Sequence, residues 1–110
     1  MLTGNNVGVE RRKKPRVCNP FSVVVRSVNA EGEAFTSETV VDNLSAGGMY
    51  VRIPELVSKG TRVFSVLQFP VAATGHPTGS RVALKGVALR SDEGLRLCGL
   101  AVTFTRHRFL

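Results

Sequence analysis

Tryptophan is absent, tyrosine occurs once, and there are two cysteines and two histidines. Each scarcity closes off a class of chemistry. Cys18 and Cys98 stand far apart, with no C-x-x-C pair and no nearby histidine cluster, so no metal site is expected. A bridge between them would need matched Cα and Cβ geometry and is not expected either. His76 lies in a Gly/Pro-rich stretch and His107 in a basic tail, and neither has a patterned partner. Ser45 lacks the G-x-S-x-G context of an activated serine. With no acid, base, nucleophile or metal set up by the pattern, the chain does not read as an enzyme and needs no cofactor. No apolar run approaches the ~20 residues that span a bilayer. The opening MLTGNNVGVE has no basic region followed by an apolar stretch, so no secretory signal is read there and a cytoplasmic location is expected. Acidic residues are also few, 8 against 15 Lys and Arg, for a net charge of +7. That excess calls for an anionic partner without specifying which.

What is present suits one small domain. At 110 residues the chain is too short for two ordinary cores, and 43% apolar content is enough for one. Valine recurs at alternate positions, which favours sheet over helix. Six strands are expected, over residues 21–28, 35–42, 49–53, 61–69, 81–91 and 95–104. Short turns at 29–33, 43–48, 58–60 and 92–94 separate them, with a longer loop at 70–80. Sequential antiparallel pairing is the natural solution, and closure removes exposed edges, so an all-β antiparallel barrel is expected and a sandwich is the runner-up. Phe21, Phe35, Phe64, Phe69 and Phe104 fall in apolar strand patterns and are expected in the core. The tail TRHRFL reads as the start of a short C-terminal helical turn. Residues 1–16 form a basic arm and residues 17–110 the barrel.

Two sites stand out. Arg11, Arg12, Lys13, Lys14 and Arg16 fall within six residues, whereas the other basic residues are scattered from Arg26 to Arg108. One local anion site near the N-terminus explains that distribution better than a basic face over the whole domain. Arginine offers a planar fork to phosphate and a flat face for stacking on bases, and Pro15 stiffens the short segment between Arg12 and Arg16. Solvated basic arm is the plainer reading. The second site is DNLSAGG, residues 42–48. As a plain turn it would use Gly47 and Gly48 for positive φ. As a binding site it offers the Asn43 amide and the Ser45 hydroxyl two residues apart. Its glycines would let a flat ligand approach the backbone, and Asp42 would accept from a guanine edge or balance an arginine.

Together these segments resemble the PilZ domain family. RKKPR, residues 12–16, is similar to its RxxxR motif, and NLSAGG, residues 43–48, to its (D/N)xSxxG motif through Asn43, Ser45 and Gly48. MYVRIPELVSKGTRV and CGLAVTF, residues 49–63 and 98–104, are similar to the strands that follow. The resemblance implies a six-stranded β-barrel and a receptor for the bacterial second messenger cyclic di-GMP. It implies that Arg12 and Arg16 grip phosphate and stack on guanine, with Arg11 assisting and bearing on stoichiometry. Asn43 and Ser45 would hydrogen-bond to the ligand, and Gly48 would act sterically. It also implies a protein effector, with outputs such as motility or exopolysaccharide control left open. Two alternatives stay open: a ligand-independent protein-interaction domain, and a barrel that binds single-stranded nucleic acid, which the shortage of exposed aromatics disfavours.

Overall fold

The computed structural model describes residues 21–70 and 80–110. The arm expected over residues 1–16, with Arg11, Arg12 and Arg16, lies outside them, as do Cys18 and His76. Six strands form: β1 (Ser22–Val28), β2 (Ala34–Ser45), β3 (Gly48–Ile53), β4 (Arg62–Phe69), β5 (Ser80–Asp92) and β6 (Cys98–Phe109). They close into an antiparallel barrel in the order β1-β2-β3-β6-β5-β4, with β4 pairing back onto β1.

Alternation builds the core. Val23 and Val25 of β1, Met49, Val51 and Ile53 of β3, Val63 and Leu67 of β4, and Val82 and Leu84 of β5 all face inward. β-branched side chains suit the pleat, and each such side chain buried contributes about 1.5–3 kcal/mol.

The pairing is not sequential. β1-β2-β3 and β4-β5-β6 are two meanders, joined edge to edge by β3 on β6 and β4 on β1. The expected β3–β4 hairpin fails because Pro54 follows β3 and residues 54–61 are too long for a tight turn. They run across one end of the barrel instead, where Val57 is 1% exposed and plugs it. Its N–H meets the Ser91 hydroxyl at 3.3 Å. The Leu56 carbonyl accepts from Ala30 N–H, and Gly60 N–H donates to the Ala88 carbonyl, both at 2.7 Å.

Three further expectations are corrected. TRHRFL is not helical: β6 continues through Phe109, and its residues Arg106 to Phe109 pair with Lys85 back to Val82 of β5. A backbone already hydrogen-bonded to a neighbouring strand has no reason to coil. β6 also starts later than expected, at Cys98, because Leu95 and Leu97 are exposed in the turn after β5. Phe64 is not a core residue. It lies on the outer face of β4, with the Arg26 guanidinium 5.8 Å from its ring centre. Phe21 is buried, and Phe35, Phe69 and Phe104 pack against the core as expected.

Candidate functional site

The segment 42–48 is mostly strand. Asn43, Leu44 and Ser45 belong to β2 and pair with Tyr50, Met49 and Gly48 of β3, leaving only Ala46 and Gly47 in the turn. Alternation turns Leu44 toward the core and leaves Asn43 and Ser45 exposed on one face. A bulge between Val41 and Asn43 interrupts the ladder, so Asp42 and Asn43 are exposed in succession.

Neither Gly47 nor Gly48 adopts positive φ; among the described residues, the glycines that do are Gly32 and Gly60. Gly48 is needed for a different reason. A Cβ there would run into the Val102 carbonyl of β6, whereas a Cβ at Gly47 meets nothing within 4 Å. The close approach is at the β3–β6 seam, where the absence of a side chain lets the two strands pair.

The Ser45 hydroxyl is held loosely, accepting from Gly47 N–H at 3.3 Å and donating to the Gly48 carbonyl at 3.4 Å. Asn43 makes no side-chain hydrogen bond among the described residues. Asp42 accepts from Arg52 Nε at 2.7 Å, which pushes the Arg52 pKa further up. Both side chains are exposed, so solvent screens the pair and it adds little to stability. Asp42 therefore does balance an arginine, one that sequence reading did not single out.

Lateral pairing extends the site beyond its motif. Asn43 faces Tyr50, Tyr50 faces Ala101, and Ala101 faces Arg90, one rung across β2, β3, β6 and β5. A second bulge, between Ala88 and Arg90, leaves Leu89 and Arg90 exposed in succession. Small residues on β6 make the floor. A Cβ at Gly99 would overlap the Tyr50 ring and hydroxyl, and Ala101 leaves room for the Arg90 guanidinium to come within 5.8 Å of the Tyr50 ring centre. The Tyr50 hydroxyl donates to Asp92 Oδ2 at 2.9 Å, and Arg90 Nε lies 3.3 Å from the same oxygen. Two adjoining depressions result. One of about 220 Å³ runs over Asn43, Ser45 and Tyr50, and one of about 480 Å³ over Asp42, Asn43, Tyr50 and Arg90. The face offers amide, hydroxyl and guanidinium groups beside one flat ring, chemistry suited to a planar, hydrogen-bonding, anionic ligand.

Tyr50, beside the Gly turn, reads from the sequence as facing ligand or solvent; Arg90 and Asp92 are additions to the expected site. Alternation along β3 places Tyr50 outward, but Arg90 reaches it only because β6 lies between β3 and β5, which the sequence does not disclose. The hydrogen bond to Asp92 raises the Tyr50 pKa, helped by desolvation and by the carboxylate charge. A raised phenol contributes stability in full below its unfolded value near ~10, and that contribution is lost as pH rises through the folded value. Tyr50 is the sole tyrosine, so phenolate absorbance reports it alone. Its midpoint is expected above that of a free phenol and is expected to fall in Asp92→Asn; an unchanged midpoint would show that the contact is not made in solution.

Among the described residues no group of His, Cys, Asp and Glu could hold a metal ion, and no helix is long and apolar enough to cross a membrane. Cys98 is buried with a free thiol. No curated protein matches the chain. The family model described as "PilZ domain" matches residues 10–108, which takes in both sequence motifs and all six strands but for the last residue of β6. The chain belongs to the PilZ domain family.

Proposed function

We propose that this domain is a cytoplasmic receptor for cyclic di-GMP that passes the signal to a protein effector. PilZ domains are non-catalytic receptor and adaptor domains, and this chain is one of them. The observation that carries the ligand reading is the exposed rung beginning at Asn43, whose side-chain amide has no partner among the described residues and borders both depressions. Asn43 and Ser45 hydrogen-bond to the ligand, and Asp42 accepts from a guanine edge when it leaves Arg52. Gly47 lets the ligand approach the turn, and Gly48 holds β3 against β6. Arg12 and Arg16 grip phosphate and stack on guanine, with Arg11 beside them. Tyr50 and Arg90 supply a floor on which a base lies. Ligand binding draws residues 1–16 against the barrel and changes the surface an effector meets.

Calorimetric titration with cyclic di-GMP, with GTP and a short oligonucleotide as controls, tests this. Saturable binding of the cyclic dinucleotide alone is expected, weakened at least about tenfold by Arg16→Ala through the loss of a charge-assisted contact. No binding by the folded protein would leave a ligand-independent adaptor. Binding of the oligonucleotide alone would move the domain to the nucleic-acid class.

A further inference from the structure

Cations that are scattered in sequence meet on one face of the barrel. Arg26 of β1 pairs laterally with Phe64 of β4, Phe64 with Lys85 of β5, and Lys85 with Arg106 of β6. At the ~4.8 Å spacing of neighbouring strands this rung spans about 14 Å. Arg62 lies two residues before Phe64 on the same face of β4, and Arg108 two residues beyond Arg106 on β6. A bulge between Lys85 and Gly86 fits Thr105 as an extra residue, and its hydroxyl donates to the Lys85 carbonyl at 3.1 Å. A groove of about 480 Å³ follows the rung, lined in part by Arg26, Arg62, Phe64 and Lys85. The concentration of charge in the N-terminal run is thus matched by a second, which folding assembles.

Among the described residues no ion pair neutralises this face. The ion pairs among the described residues are Arg52–Asp42 and Arg90–Asp92, both on the Asn43 face. On the β2 flank Glu38 pairs with Val24, two residues from Arg26 along β1, and makes no ion pair among the described residues. Arg26 lies over the Phe64 ring, which holds its planar fork ready for a carboxylate.

We propose that this face docks an acidic segment of a protein partner, independently of cyclic di-GMP. Arg106 and Arg108 stand ~7 Å apart along β6, the repeat of alternate carboxylates in an extended acidic strand. Arginine beside phenylalanine, as Arg26 and Phe64 stand here, is the composition enriched where proteins meet. Single-stranded nucleic acid asks for a series of stacking rings, and the one ring in this groove is already covered by Arg26. A lipid surface asks for apolar side chains inserted along the patch, and the groove itself presents charge.

Fluorescence anisotropy with a labelled polyglutamate peptide tests the proposal, alongside oligo-dT and vesicles of anionic phosphatidylglycerol at the same ionic strength. Polyglutamate is expected to bind best. Arg26→Glu/Lys85→Glu is expected to weaken it at least about tenfold. Lys85→Glu alone is expected to weaken it more than Arg96→Glu, an equal change of charge on the β5–β6 turn. Should the double variant fail to fold, Arg106→Glu/Arg108→Glu at the exposed end of β6 replaces it. Equal effects of Lys85→Glu and Arg96→Glu would mean diffuse attraction and overturn the site. Absence of polyglutamate binding, or tighter binding of oligo-dT or of vesicles, would overturn the partner class. Because cyclic di-GMP is absent from every arm, failure of the receptor reading leaves the outcome untouched.

Discussion

Gly48→Ala is expected to destabilise the domain by about 2–4 kcal/mol, while Gly47→Ala, one residue earlier, stays within about 0.5 kcal/mol. The two glycines are adjacent in the motif and differ in what a methyl group would meet. At Gly48 it meets the Val102 carbonyl, a backbone atom of a paired strand that cannot swing away. β3 must separate from β6, and that seam is one of two that join the meanders into a barrel. At Gly47 the space is open and φ is not in the left-handed region. For a domain of this size, 2–4 kcal/mol corresponds to a fall in melting temperature of roughly 10 °C or more. Calorimetric melting of both variants reads the contrast. Equal melting temperatures would show that the motif glycine is not kept for the seam. The result also bears on binding: a Gly48 variant that loses cyclic di-GMP has lost its barrel geometry first.

Much of this was legible in the chain because period-two alternation is strong wherever one face of a strand is buried. Val23 and Val25, then Met49, Val51 and Ile53, mark their strands and their inward face without knowledge of any partner. What alternation does not carry is which strand lies beside which. Residues 54–61 read equally well as a turn and as a crossing, and the crossing puts β6, not β4, next to β3. The loss is felt at the site, since Tyr50 meets Arg90 only through that order. Bulges were equally hidden. An extra residue at Asp42 or Leu89 leaves no mark in composition, yet it exposes two consecutive side chains where the pattern predicts one. Phe64 misled for a related reason. An aromatic among valines reads as core, but its outward position leaves it under Arg26. The scattered basic residues misled in the same way, because a rung joins residues by register and not by number.

Asn43→Ala/Ser45→Ala is expected to weaken cyclic di-GMP binding about 30- to 150-fold, from two lost hydrogen bonds at about 1–1.5 kcal/mol each. Its melting temperature is expected to match that of the unaltered protein, since both side chains are exposed and surface substitutions of this kind stay within about 0.5 kcal/mol. The reason lies in what these groups do in the free domain. Asn43 has no hydrogen-bond partner among the described residues, and the Ser45 hydroxyl makes two long contacts within its own turn. Neither supports the barrel, so their polar atoms are available to a ligand with little to give up. Asp42 differs, because its carboxylate already holds Arg52 at 2.7 Å and a ligand must compete for it. The double variant therefore separates the two kinds of motif residue, those that make the surface and those that use it. Calorimetric titration beside a melting curve reads both quantities. Binding unchanged in a folded double variant would remove the Asn43–Ser45 face from the ligand site and leave the arginines of residues 12–16 to carry recognition elsewhere. Binding lost together with stability would instead place Asn43 or Ser45 among the residues that hold β2 to β3.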